Sequence, residues 1–77
     1  MNQEYRTQLL KSSLEARINE VTEYQVNIDN YRLAIKFIGD DVEMQPFKNQ
    51  IQHLLESSIL EQRKAQIMLD VVKSQLE

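Results

Sequence analysis

The chain has 77 residues, 42% of them hydrophobic, with 9 Lys and Arg against 12 Asp and Glu and a formal net charge of −3. That length permits one domain with a modest core, and the near-balanced charge lacks the basic stripe of a nucleic-acid-binding protein. Cysteine is absent and His53 is the sole histidine, which excludes a disulfide framework, a thiolate zinc site and a multi-histidine metal cluster. A chain so small, with no covalent or metal staple, is expected to gain stability by association.

The opening residues, Met1-Asn2-Gln3-Glu4-Tyr5-Arg6, carry no basic stretch followed by an apolar run, and no apolar run approaches the length of a membrane span. The expectation is a cytoplasmic protein without membrane insertion. One glycine and one proline, Gly39 and Pro46, stand seven residues apart, and good helix formers dominate elsewhere. The whole chain, 1–77, therefore reads as a single helical domain with one break.

The first helix is expected over about 3–38. Apolar residues recur there at Leu10, Leu14, Val21, Tyr24, Ile28, Tyr31, Ile35 and Ile38, at steps of three, four or seven that align on one helical stripe. Arg17 interrupts this stripe. A cation at such a position is paired, aimed at an edge to set register, or extended along its stem to solvent.

The break is expected at 39–45. Gly39 follows the last seam residue, where a left-handed C-cap belongs, and Pro46 suits the first turn of the next helix, where no N–H is needed. Positive and negative residues balance on either side of the break, so the net charge lies in Asp40, Asp41 and Glu43. Those three fall near the positive end of the second helix. They lack the alternating ligand spacing and central glycine of a calcium loop, so helix capping is the better reading.

The second helix is expected over about 46–76, with a stripe of Phe47, Ile51, Leu55, Ser58, Gln62, Ala65, Leu69, Val72 and Leu76. Because the connection is short, the two helices fold back on each other. The resulting fold is an all-α, antiparallel, coiled-coil-like two-helix hairpin that associates into a larger helical bundle. With the turn centred near Val42 and Glu43, residues whose numbers add to about 86 face each other. Tyr31 then meets Leu55, Ile28 meets Ser58, Tyr24 meets Gln62 with its hydroxyl in reach, and Val21 meets Ala65. Large residues oppose small or polar ones, as close packing requires.

Each helix also carries a second apolar stripe: Val26, Leu33 and Phe37 on the first, Leu60, Ile67 and Val71 on the second. At 100° per residue these lie about 140–180° around from the seam. A lone hairpin covers one stripe per helix, so these six residues are the expected partner-binding surface. The partner is a protein: a second copy, giving a homodimer, or a heterologous helical protein.

Catalytic candidates are sparse, and none is assigned. His53 with Glu56 three residues on is better read as a solvated surface pair than as a general base. Glu20 and Glu23 lack the Glu-x-x-His companion of a di-iron helix. Ser12-Ser13 and Ser57-Ser58 sit in no Gly-x-Ser-x-Gly setting, and one glycine makes no phosphate loop. The expectation is a protein that is not an enzyme and uses no cofactor or metal.

In its size, its two-helix layout, the Pro46-Phe47 opening of the second helix and the stretch Leu54-Leu55-Glu56-Ser57-Ser58-Ile59, the chain resembles the small co-chaperones of type III secretion needle proteins. The resemblance covers about thirty residues, and the first helix here is longer and more polar. It implies a cytoplasmic helical hairpin that joins a larger helical-repeat chaperone to keep a needle subunit from polymerising. Two other classes fit the sequence: a self-assembling structural four-helix-bundle dimer, and a small regulator, for instance of phage origin, that blocks a host protein.

Overall fold

Asn2 starts the first helix by capping it: its Oδ1 accepts from the Glu4 backbone N–H at 2.8 Å, satisfying one of the free donors of the first turn. The computed structural model describes residues 2–77 and contains two α-helices, α1 (Gln3–Ile38) and α2 (Gln45–Leu76). They lie antiparallel in a rod with extents of 61 × 16 × 14 Å. The fold is the expected all-α hairpin, with α2 beginning one residue earlier than the sequence indicated and the turn confined to 39–44.

The connection is a chain of tight turns. Gly39 has φ 54° and ψ −128°. Its φ is positive, as expected, but its ψ lies far from a left-handed helical cap and matches the first central position of a type II′ turn. The Asp41 N–H accordingly bonds the Ile38 carbonyl at 3.2 Å, across that turn. Asp41 Oδ1 then accepts from Glu43 N–H at 3.1 Å, and its carbonyl accepts from Met44 N–H at 3.2 Å. Asp41 thus organises the turn preceding α2, whereas the N-cap position itself, Met44, makes no side-chain cap bond and Pro46 lies in the first turn of the helix.

Ladders of polar contacts fix the antiparallel pairing along the rod. At the turn end, Lys48 Nζ donates to the Gly39 carbonyl at 3.0 Å, joined there by Gln45 Nε2 at 3.2 Å. Midway, Gln62 Nε2 donates to the Val21 carbonyl at 3.2 Å and to Gln25 Oε1 at 2.9 Å. At the free end Arg6 Nη2 reaches Gln75 Oε1 at 3.0 Å. Gln62 therefore sits opposite the turn holding Val21, Tyr24 and Gln25, in line with the expected register. The expected bond from the Tyr24 hydroxyl is replaced by these two amide bonds.

The core is a single seam. Ile28, 2% exposed, is the most deeply buried large side chain, and Ile51, Ala65, Leu69 and Val72 are buried with it. Leu10, Leu14, Val21, Tyr24, Tyr31, Ile35 and Ile38 of α1 and Leu55, Ser58, Gln62 and Leu76 of α2 are half-buried along the same line. Removing each large aliphatic from water contributes roughly 1.5–3 kcal/mol. Phe47 departs from the expected seam, being 43% exposed. Eight residues separate it from Leu55, a drift of about 80° off the line, while Lys48 stands one heptad before Leu55 and takes the seam position with its stem.

Candidate interaction surface

The six residues expected to meet a partner all face outward. Val26 is 52% exposed, Leu33 50%, Phe37 84%, Leu60 50%, Ile67 63% and Val71 43%. The helical repeat explains the arrangement: Leu33 is two residues from Ile35, and Ile67 is two residues from both Ala65 and Leu69, about 200° around the helix in each case. Since the two seams face each other, the two outer stripes point away from each other. They form two separate apolar lines on opposite edges of the hairpin, so a partner touching both must be concave or must be more than one molecule.

A further apolar region escaped the sequence reading. Phe47, Leu54 and Met68 are 43%, 47% and 43% exposed, and they share a line on α2 because they are spaced by sevens, with Glu61 between the last two. At the turn end Phe47 joins Ala34, Phe37, Ile38, Asp41 and Met44 around an open, mostly apolar cleft. Farther along the same flank, Glu20 and Tyr24 of α1 face Glu61, Lys64, Ala65 and Met68 of α2 around a second, more polar concavity. The seven-residue repeat of Phe47, Leu54 and Met68 was the available signal. It was obscured because Phe47 also satisfies the step to Ile51.

The ionisable groups are spread along the surface. Arg17, half-buried in the seam, sends Nη1 to both oxygens of Glu20, at 3.1 and 3.2 Å, and its Nε is buried with no partner. Glu20 is thereby engaged in an ion pair on its own helix. His53 Nδ1 lies 4.0 Å from Glu56 Oε2, both side chains more than three-quarters exposed. Ser57 is exposed on α2, and Ser58 lies in the seam as expected. Among the described residues, no three His, Asp or Glu side chains group closely enough to hold a metal ion. Over the same residues, no helix is long and apolar enough to cross a membrane.

No family model, no curated protein and no solved structure matches this chain.

Proposed function

We propose that this protein is a non-catalytic protein–protein interaction module whose outer stripes dock a helical partner, in the manner of a chaperone. The observation that carries this reading is the half to near-complete exposure of Val26, Leu33, Phe37, Leu60, Ile67 and Val71 on a hairpin whose described residues bury their core along the seam. Full burial of such a side chain contributes roughly 1.5–3 kcal/mol, and each of the six forfeits the share set by its exposure, a sum that is still large beside the stability of a small domain. A groove that receives the hairpin lengthwise and contacts both edges recovers that sum.

In its narrower form the proposal is a cytoplasmic secretion co-chaperone. The resemblance through Pro46, Phe47 and the stretch 54–59 supports it, and so does the match between two opposed apolar edges and the concave face of a helical-repeat partner. The hairpin then acts as a rigid filler that holds its partner's groove in an ordered state.

The test is a pair of substitutions, Leu33→Asp and Ile67→Asp, one on each edge. Both sites are exposed, so far-UV helicity and the urea midpoint should stay close to wild type. The partner retained from the native host by the wild-type chain should be lost by both variants. Undiminished retention by either variant sinks the two-edged docking reading.

A further inference from the structure

Beside the seam, α2 carries another line of heptad-spaced residues: Leu54, Ser57, Glu61, Lys64, Met68 and Val71. Steps of three and four alternate along it, the spacing with which one helix presents a face to another. It shares only Val71 with the outer stripes. Leu54, Met68 and Val71 are between 43% and 47% exposed. Glu61 and Lys64 pair at 3.0 Å in the middle of the line.

The order of residue types along this line is self-complementary on reversal. Laid antiparallel on its own copy, about a two-fold axis between Gln62 and Arg63, Leu54 meets Val71 of the second copy and Ser57 meets Met68. Glu61 meets Lys64, and symmetry makes every pairing occur twice. The centre becomes four charges of alternating sign, flanked on both sides by apolar contacts. A parallel, in-register arrangement instead sets Glu61 on Glu61 and Lys64 on Lys64, which repels.

The elongated hairpin as a whole has surface to spare for such a contact. The lone hairpin exposes 5956 Å², whereas a compact monomer of its 9.1 kDa mass exposes about 4,900 Å². The excess, about 1,000 Å² per chain, compares with about 800 Å² buried by each partner of a standard interface. The radius of gyration agrees, at 17.7 Å against about 11.5 Å for a compact chain of this length.

We propose that this flank of α2 is a self-association surface on which a second copy of the chain docks antiparallel, giving a four-helix bundle. This goes beyond the outer-stripe reading, because the bundle leaves Val26, Leu33, Phe37, Leu60 and Ile67 free for a heterologous partner.

Sedimentation equilibrium of the full chain at micromolar concentrations tests it. The expected species has twice the chain mass, and Leu54→Asp weakens the dimer by about 100-fold while Leu33→Asp leaves it unchanged. Glu61→Lys and Lys64→Glu, each alone, place like charges across the two-fold and weaken the dimer by about tenfold. An equimolar mixture of those two charge variants should regain association as a heterodimer, because every cross-chain pair is then attractive. A rearranged pair within one helix cannot produce that recovery, and the mixture remains informative even if Leu54→Asp loses helicity. A wild-type chain that stays monomeric, or a mixture as dissociated as its separate components, overturns the proposal. A dimer indifferent to the charge variants uses another face and also overturns it.

Discussion

The Gln62 amide spans the seam to reach the Val21 backbone carbonyl, 3.2 Å away, and simultaneously the Gln25 side chain at 2.9 Å. A glutamine in the centre of an apolar stripe thus fixes where α2 stands along α1. Polar groups set into a helical seam act as register pins because sliding by a turn strands them without partners.

Replacing Gln62 by Ala should lower the free energy of unfolding by about 1 kcal/mol, the net worth of such a bond plus a small packing loss. Gln62→Leu should recover that loss through apolar burial. Urea unfolding of the three chains decides this. An alanine variant as stable as wild type shows that the amide bonds across the seam contribute nothing.

The register itself is accessible to a covalent probe. Ile28, the most buried large residue, is expected opposite Ser58, and the observed bonds from Gln62 one turn away keep that pairing in place. The double variant Ile28→Cys/Ser58→Cys should therefore oxidise within one chain, whereas a control shifted by one heptad, Ile28→Cys/Ala65→Cys, should not. Non-reducing electrophoresis after mild oxidation separates the two, and closure of the control in preference to 28 and 58 contradicts the register.

Most of the seam was legible because burial imposes a period that the sequence has to obey. Ile28, Ile51, Ala65, Leu69 and Val72, all buried, belong to the two stripes that spacing alone picks out. The outer residues Leu33 and Ile67 were legible for the converse reason, since they stand opposite those stripes. What spacing did not reveal depends on short-range backbone geometry and on one-residue choices of phase. Phe47 fits a step of four to Ile51 as readily as the step of seven to Leu54, and only the seating of Lys48 on the Gly39 carbonyl shows which applies. Likewise Gly39 announces a helix end, but a left-handed cap and a type II′ turn both want glycine there. The direction in which each outer stripe points was implicit in the seam, because burying one face of a helix turns the opposite face outward.

Gly39 offers a test of the turn. A Cβ there meets only the Lys36 carbonyl oxygen at 3.7 Å, an ordinary contact, so space is not the obstacle. The obstacle is the backbone, held at φ 54° and ψ −128°, a region that L-residues avoid and D-residues favour. Gly39→Ala should cost about 1–3 kcal/mol in stability. A synthetic chain with D-alanine at the same position should gain about 0.4–1 kcal/mol by restricting the unfolded state. Thermal unfolding of both chains checks the pair of signs, and equal effects from the two enantiomers contradict the type II′ geometry.

Arg17 is another polar interruption of the seam, and its energetics run opposite to those of Gln62. Its guanidinium is bound to Glu20 on its own helix and makes no bond to α2, while its Nε is buried without a partner. An unsatisfied buried donor costs about 1–3 kcal/mol, and the ion pair to Glu20 returns little because both side chains are a third or more exposed. Arg17→Leu removes the orphaned donor and places an aliphatic group at a seam position between Leu14 and Val21. It should raise the free energy of unfolding by about 1 kcal/mol. Arg17→Ala separates the two contributions, since it removes the donor without supplying the apolar side chain and should leave stability near wild type. Urea titration of the three chains in low and high salt completes the argument: the gain in the leucine variant should persist in high salt. A leucine variant less stable than wild type would mean that the guanidinium stem and its pairing to Glu20 hold this part of the hairpin together.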